Sequence, residues 1–291
     1  MKEIKGYVVG KTQGFYEVKS NDKVYMLKLK GSLKKKNDKL NCVIGDNVEF
    51  NDDVIEKIYD RKNYLTRPLI ANIDDVALVY AIKDPKFDLT SFQKNLLWID
   101  SKGVNRVLIL SKIDLVKKEE LEEFLKNLSN IFKDLLIFPI SLKENIGTNR
   151  LKEFLVGKNI VLSGLSGVGK SSLVNYLMDT RVMSVDTISK KTKKGKNTTI
   201  ITKYFENKGI CIFDTPGYSS IEVPPFKDKR EPMHWFNEFS EYIGKCRFRD
   251  CLHINEPCCS IKKAVEDGYI SKTRYLMYTS IITKEDRWIY T

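Results

Sequence analysis

Eight residues at positions 164–171 constrain the fold more than any other part of this 291-residue sequence. They read Gly-Leu-Ser-Gly-Val-Gly-Lys-Ser, which is the pattern G-x-x-x-x-G-K-[ST], after an apolar run and before a helical pattern. Such a loop wraps backbone N–H groups around phosphates and aims a helix N-terminus at them. We therefore predict an α/β domain whose phosphate site consists of Gly164, Ser166, Gly167, Val168, Gly169, Lys170, Ser171 and Ser172.

Buried-type apolar runs alternate with amphipathic helical stretches between residues 68 and 221. Residues 92–102 and 117–133 have helical periodicity. The predicted strands lie at residues 76–80, 106–110, 135–138, 160–162 and 210–213. Runs that are apolar on both faces and separated by helices predict a mostly parallel sheet.

The segment Asp-Thr-Pro-Gly at residues 214–217 follows the last of these strands. On its own it is also typical of an ordinary turn. About forty residues after a phosphate loop, it indicates a nucleotide sensor, in which Asp214 holds Mg²⁺ and the Gly217 N–H meets the γ-phosphate. Ser171 is the second predicted Mg²⁺ ligand, and Lys170 would reach the β- and γ-phosphates.

The segment Ser-Lys-Ile-Asp at residues 111–114 resembles the guanine-specificity motif Asn/Thr-Lys-x-Asp. Asp114 can accept hydrogen bonds from the guanine N1–H and 2-amino group, which adenine does not offer in that arrangement. Lys112 would cover the ring, whereas Ser111 has a shorter hydrogen-bonding arm than the usual Asn. Ser141 and Leu142 begin a loop similar to the Ser-Ala-Lys loop whose backbone meets guanine O6.

Cysteine usage indicates a reduced protein with one metal site. Six cysteines are too few for a disulfide scaffold in a chain of this length, and four of them lie within residues 246–259. Neither a secretory signal nor an apolar run of the roughly 20 residues that span a membrane is present in the sequence. We expect a cytoplasmic protein with no membrane partner.

The first 67 residues contain about five short strand patterns separated by turns, which predicts a small β-barrel. An OB-fold is the common basic barrel that binds RNA, but strand spacing does not distinguish it from an SH3-like barrel. The formal charge is +12, with eleven lysines against four acids in residues 1–40 and five lysines in residues 190–196. This excess predicts a polyanionic partner, although a lysine-rich solvated surface is the alternative.

The order of the motifs is unusual. In an ordinary GTPase the base motif follows the phosphate loop, whereas in this chain it precedes the loop. The chain is therefore circularly permuted. This order, between a small barrel and a cysteine cluster, resembles the small-ribosomal-subunit biogenesis GTPase family (RsgA, also called YjeQ) over essentially the full length. The expected domains are an OB-fold RNA-binding domain at 1–67, a circularly permuted P-loop GTPase domain at 68–221 and a mainly helical zinc-binding domain at 222–291.

The resemblance implies a GTP hydrolase that assists late maturation of the 30S subunit. It implies GTP or GDP, Mg²⁺ and one structural Zn²⁺ as ligands. The implied partners are the 30S subunit and its 16S rRNA, with other assembly factors, for a chain expected to be a monomer. Intrinsic hydrolysis would be slow and would be stimulated by the subunit.

Further site residues follow from the resemblance. Gly-Lys-Asn-Thr-Thr at 195–199 is similar to the switch I motif Gly-Arg-His-Thr-Thr of the family. Thr199 then matches the Mg²⁺-binding threonine, with Thr198 as the second choice, and Asn197 replaces the histidine credited with handling the water. Asn197, Thr199 and Lys170 form the expected catalytic set. The zinc pattern Cys-x₄-Cys-x-His-x₅-Cys of the family falls on Cys246, Cys251, His253 and Cys259.

Two other functions remain open from the sequence. The chain could be a metal-containing RNA-binding protein that uses GTP only as a structural or regulatory ligand. It could also be an ATP-dependent small-molecule kinase. The intact set of Lys170, Ser171, Asp214 and Thr199 argues against the first, and a multiple-turnover phosphate assay would test it. Asp114 argues against the second, and competition of bound GTP by excess ATP would test it.

Overall fold

The computed structural model describes residues 4–12, 14–34, 41–51, 53–66, 68–180, 202–215 and 223–283. The chain forms two compact units. The first unit comprises Met1–Ala77, Asn149–Ser163 and Lys170–Gly217. The second unit comprises Leu78–Thr148, Gly164–Gly169 and Tyr218–Thr291. Within the described ranges, no helix is both long enough and apolar enough to cross a membrane.

The first unit begins with a closed five-stranded barrel. Its strands are β1 (Ile4–Thr12), β2 (Phe15–Ser20), β3 (Lys23–Leu29), β4 (Asn47–Asn51) and β5 (Val54–Ile58). Their order is β1-β2-β3-β5-β4, with β3 parallel to β5 and β1 antiparallel to β4. Alternate residues face a core that includes Val18 and Phe50, as the period of a strand requires. This topology is that of an OB-fold, so it decides between the two barrels that the spacing left open.

A short hairpin, β6 (Tyr64–Thr66) and β7 (Leu69–Ala71), follows the barrel. The hairpin is not predicted from the sequence, because three-residue strands are too short to establish an alternating pattern. A bridge between Ile44 and Ile70 connects the hairpin to the segment that precedes β4. Gly45 stands there at φ +92°, and a Cβ on it would lie 2.1 Å from the Ala71 carbonyl oxygen, so only glycine fits.

The central sheet has six strands. They are β8 (Asp75–Ala81), β9 (Asn105–Ser111), β10 (Leu136–Pro139), β11 (Asn159–Ser163), β12 (Lys203–Asn207) and β13 (Ile210–Asp214), in the order β10-β9-β8-β11-β13-β12. The helices between them are α1 (Leu89–Asp100), α2 (Lys118–Ile131), α3 (Thr148–Leu155) and α4 (Lys170–Leu177). The pairs β9–β10 and β11–β13 are parallel, and β12 pairs antiparallel to β13. The predicted α/β class is confirmed, and β12 makes one edge of the sheet antiparallel.

The C-terminal segment of the second unit is mainly helical, as predicted. It contains α5 (Ser260–Glu266), α6 (Lys272–Thr283) and short 3₁₀ helices at Glu231–Trp235 and Asn237–Phe239. Its core is aromatic: the rings of Phe236 and Phe239 stack at 5.0 Å, and both meet Tyr278 edge-on. These contacts place three aromatic rings in the buried core of the segment.

A network of polar contacts around the buried Arg106 joins this segment to the strand that carries the base motif. The Arg106 guanidinium, at the start of β9, lies 2.7 Å from the Asp100 carboxylate and donates to Asp134 at 2.8 Å. Asn237 donates to the same Asp134 at 3.1 Å. Burial raises the pKa of Asp100 to about 7, against the opposing charge of Arg106. The second unit is thus held together by ion pairs as well as by apolar packing.

Candidate functional site

The glycine-rich loop adopts a backbone that requires its glycines. A Cβ on Gly164 would lie 2.3 Å from the Val79 carbonyl oxygen, because the loop passes directly against β8. Gly167 and Gly169 have φ of +83° and +94°, in the left-handed region that favours glycine. Lys170 follows at once as the first residue of α4. The predicted sequence of strand, loop and helix is present.

Ser111 connects the base motif to the glycine-rich loop. It is the last residue of β9, and its buried hydroxyl lies 2.6 Å from the Val168 carbonyl oxygen and 3.1 Å from that of Tyr80. A hydroxyl has one proton to donate, so it serves one carbonyl at a time. The Ser111 side chain is shorter than that of Asn, but it reaches the Val168 carbonyl oxygen because the glycine-rich loop passes close to the end of β9.

Lys112 reaches over the loop that follows β8. It adopts a left-handed backbone, at φ +56°, and its Nζ donates to the Asp84 carbonyl oxygen at 2.8 Å. The Asp84 carboxylate lies 3.4 Å from the same Nζ. These two contacts fix the position of the Lys112 ammonium group.

Asp114 is oriented by Ser141, which the sequence placed in the same site. The Ser141 hydroxyl donates to Asp114 Oδ1 at 2.7 Å and accepts from the Glu144 N–H at 3.1 Å. Ser141 also exchanges two backbone hydrogen bonds with Ile146, so the loop that continues through Leu142 is closed on itself. A carboxylate has about four acceptor positions, and Ser141 occupies one. The remainder can accept from a base with two adjacent donors.

Lys170 and Asp214 form the charged part of the site, in the first unit. β13 ends at Asp214, and both side chains are half-buried. Burial lowers the pKa of Lys170 and raises that of Asp214, while each charge opposes the shift of the other. Lys203 lies opposite Asp214 in the β12–β13 register and also favours its charged form.

Asp214 fits a divalent cation. Its Oδ1 atom is buried and has no hydrogen-bond partner within the described part of the chain. An ionised carboxylate oxygen in that condition is costly unless a cation is bound to it. Mg²⁺ prefers carboxylate and hydroxyl oxygens, and α4 carries the predicted Ser171 hydroxyl one residue after Lys170. The following Thr215 is fixed by a 3.1 Å hydrogen bond to the Leu162 carbonyl oxygen.

Three predicted site residues lie outside the described residues. They are Asn197 and Thr199, in the switch I motif, and Gly217, in the Asp-Thr-Pro-Gly motif.

Three cysteines and one histidine meet in the second unit. The ligand atoms of Cys246, Cys251, His253 and Cys259 all lie within 4.8 Å of one another. The Cys246 and Cys259 sulfurs are 3.9 Å apart, and His253 Nδ1 lies 3.5 Å and 3.3 Å from them. Zn–S bonds of about 2.3 Å give tetrahedral edges of about 3.8 Å, so these separations fit one zinc ion.

The surroundings of the cluster also suit a metal. Burial lowers the pKa of His253, which favours the neutral imidazole that binds metals, and raises the pKa of Cys251 to about 12. A bound cation would offset that burial by stabilising the thiolate. The Tyr275 hydroxyl donates to the His253 carbonyl oxygen at 2.8 Å and fixes that residue. Cys258 is exposed and is not part of the cluster.

A glycine-rich phosphate loop, a guanine-type motif that precedes it and a metal-type carboxylate after it define a circularly permuted P-loop GTPase. The model of the RsgA N-terminal domain matches residues 5–57, and that of the RsgA GTPase matches residues 58–224. The chain belongs to the RsgA GTPase family.

Individual relatives cover nearly the whole chain. Small ribosomal subunit biogenesis GTPase RsgA of Fusobacterium nucleatum is 42% identical over 274 residues, 93% of this chain and 96% of that protein. The protein of the same name from Clostridium acetobutylicum is 38% identical over 285 residues, 97% of each chain.

Two solved structures are similar over the same length. The crystal structure of YjeQ from Thermotoga maritima has a TM-score of 0.80 at 32% identity and covers 97% of this chain and 98% of its own. That of YloQ, described as a circularly permuted GTPase, has a TM-score of 0.79 at 26% identity, with coverage of 97% and 95%. The family and the fold class predicted from the sequence are confirmed.

Proposed function

We propose that this protein hydrolyses GTP to GDP and orthophosphate during maturation of the 30S ribosomal subunit. The observation that carries the guanine assignment is Asp114, held by Ser141 at the end of the loop after β9. Family membership and the names of the relatives support the role in small-subunit biogenesis.

Each site residue has a proposed role in binding the base, the phosphates or Mg²⁺. Asp114 selects guanine, Lys112 covers the ring, and the loop that begins at Ser141 and Leu142 meets O6. The glycine-rich loop and Lys170 hold the phosphates, and Ser171, Thr199 and Asp214 are the proposed Mg²⁺ ligands. Bound Mg²⁺ would neutralise charge that develops on the β- and γ-phosphate oxygens as water displaces GDP.

Hydrolysis by the free protein should be slow. A glutamine that orients the attacking water follows the Asp-x-x-Gly motif in Ras-like GTPases, and Tyr218 occupies that position here. Asn197 can hold a water but cannot accept its proton as a general base. We therefore infer that the subunit accelerates hydrolysis by acting on switch I, at about residues 183–199.

The partners follow from charge and family together. The lysine-rich barrel and residues 190–196 would contact 16S rRNA phosphates, and binding would weaken as salt rises. The proposal includes a monomer, a cytoplasmic location where the subunit is assembled, and domain boundaries at residues 67/68 and 221/222.

One measurement tests the function most directly: GTP turnover by the purified protein, alone and with small subunits, large subunits or free 16S rRNA. We expect slow release of phosphate alone and a rise of at least tenfold with small subunits only. Equal rates in all four mixtures would remove the subunit-activated mechanism. A single turnover in every mixture would instead favour GTP as a structural or regulatory ligand.

We also propose one structural Zn²⁺ on Cys246, Cys251, His253 and Cys259, because their ligand atoms all lie within 4.8 Å of one another. Elemental analysis of protein purified without chelators should give one zinc per chain. Cys251→Ala should lose the metal and the fold around it, while Cys258→Ala, next to the cluster, should keep both. Protein without metal, or equal loss from both variants, would contradict this assignment.

A further inference from the structure

The loop between the first two cysteines of the cluster presents an aromatic ring among positive charges. Residues 247–250 are all exposed, and Phe248 is 41% exposed although the same segment has a large apolar core. The Arg247 guanidinium carbon lies 5.8 Å from the centroid of the Phe248 ring. A single exposed ring is common on protein surfaces, so the inference depends on what surrounds this one.

The loop is held at both ends. It begins at Cys246 and ends at Cys251, whose sulfurs both belong to the cluster. The Arg247 N–H also donates to the Cys258 carbonyl oxygen at 3.4 Å. A ring displayed on a short, fixed loop loses little conformational freedom when a partner binds to it.

The charges around the ring favour a polyanion. Lys245, Arg247 and Arg249 are exposed, and Asp250 is the one acid of the loop. Arg230, from the preceding segment, pairs with Asp228, and the charge of Asp250 also favours its charged form. An apolar protein patch packed against Phe248 would have to desolvate three charged neighbours. An RNA strand instead offers a flat base to the ring and phosphates to the guanidinium groups.

We propose that Phe248 stacks on an unpaired RNA base, with Arg247 and Arg249 on the adjoining phosphates. The inference rests on the proposed function, because the strand would be a single-stranded segment of 16S rRNA. It names a contact that is separate from the barrel and from residues 190–196. The stack requires a base with a free face, so single strands should bind better than duplexes.

The test uses the full-length protein, bound to GDP, and a single-stranded RNA oligonucleotide that carries 2-aminopurine. We expect Phe248→Ala to weaken binding about tenfold and to abolish quenching of the 2-aminopurine fluorescence. Phe248→Trp should keep both. Tyr269→Ala is the matched control, since Tyr269 is another exposed ring of the second unit, at 62%. Zinc content and basal GTP turnover should be the same in all these proteins.

The outcomes separate the inference from the proposed function. If Phe248→Ala binds the strand as tightly as the wild type, or if Tyr269→Ala loses as much, the stacking contact is refuted. Equal affinity of the wild type for duplex and single-stranded RNA would also refute it. If Phe248→Ala loses zinc, Phe248→Leu decides, because it keeps an apolar side chain without a ring and should still lose quenching. A wild-type protein that binds no small subunits would refute the proposed function itself.

Discussion

The residues expected to bind the base and the charged residues of the site are held in place by different interactions. In the base region, Ser111, Lys112 and Asp114 each have a hydrogen bond of 2.8 Å or less to a neighbouring group. In the charged region, Lys170 and Asp214 are half-buried, and a carboxylate oxygen of Asp214 has no hydrogen-bond partner among the described residues. Short hydrogen bonds hold the side chains of the first region, whereas burial and opposite charge act on those of the second.

The difference reflects the two kinds of ligand. A neutral base is discriminated by donors and acceptors at set positions, so the protein must hold its own polar groups still. Phosphates and Mg²⁺ bring charges of both signs, and they replace the solvent that a half-buried carboxylate or ammonium group has lost. Substitutions in the first region should therefore change which nucleotide binds, and those in the second should change the dependence on metal and the rate.

The largest expected effect is at Asp114. In Asp114→Asn the acceptor that meets the guanine 2-amino group becomes a donor, which suits the 2-oxo group of xanthine. We expect GTP affinity to fall at least about 100-fold and affinity for xanthosine triphosphate to rise. Competition binding with both nucleotides measures the exchange. Full retention of the GTP preference would show that Asp114 does not read the base.

Asp214→Asn should affect metal dependence while leaving base choice unchanged. The amide keeps the shape of the carboxylate but not its charge, so Mg²⁺ should no longer slow nucleotide release. We expect turnover to fall on the order of 100-fold, by comparison with the loss of other charge-stabilising groups. The measurement is the rate of GDP dissociation across a magnesium titration.

Asp179→Asn is the control for this change, because Asp179 is an exposed carboxylate of the same unit that pairs with Lys208. It should release GDP with normal dependence on magnesium. If Asp214→Asn also kept normal dependence, the metal would have to be held elsewhere.

Asn197 tests whether the charged region completes its chemistry through switch I. If Asn197 positions water, Asn197→Ala should lower the subunit-stimulated rate about tenfold while GTP affinity changes little. Asn197→His restores the group expected from the family and should preserve or raise the rate. Phosphate release with small subunits, beside equilibrium binding of GTP, separates the two effects. A proportional loss of rate and affinity would assign Asn197 to nucleotide binding.

The sequence predicted those parts of the molecule that follow from local pattern. The strand before Gly164 and the strand that ends at Ser111 were found because both are continuously apolar, and parallel central strands are buried on both faces. β12 was missed because Lys203 and Glu206 interrupt its apolar pattern at the edge of the sheet. Edge strands contain such charges where one face is open to water.

The motifs predict which residues form the site, but they do not predict the contacts that hold those residues in place. Neither the hydrogen bond from Ser111 to Val168 nor that from Lys112 to Asp84 can be inferred from spacing, because each pair is far apart in the chain. The same holds for the close approach of Gly164 to Val79. These contacts depend on how the strands are paired, which is a property of the folded sheet.

The smallest expected effect is at Ser111, and it decides whether the base region supports the phosphate loop. Ser111→Ala removes a neutral hydrogen bond, which contributes about 0.5–1.5 kcal/mol. The buried Val168 carbonyl oxygen then loses the hydroxyl that donates to it. Because the contact is to the loop and not to the base, GTP and GDP should both bind about 3- to 10-fold more weakly, with guanine preference unchanged.

Ser141→Ala is the informative counterpart, since Ser141 acts on Asp114 itself. It should relax the preference for guanine over xanthine more than Ser111→Ala does. Titration of both variants with GTP, GDP and xanthosine triphosphate compares the two effects directly. If Ser111→Ala changed base preference and Ser141→Ala changed only overall affinity, the roles assigned from the two hydrogen bonds would be reversed. The division between a region that selects the base and a region that holds charge would then have to be redrawn with Ser111 at the base.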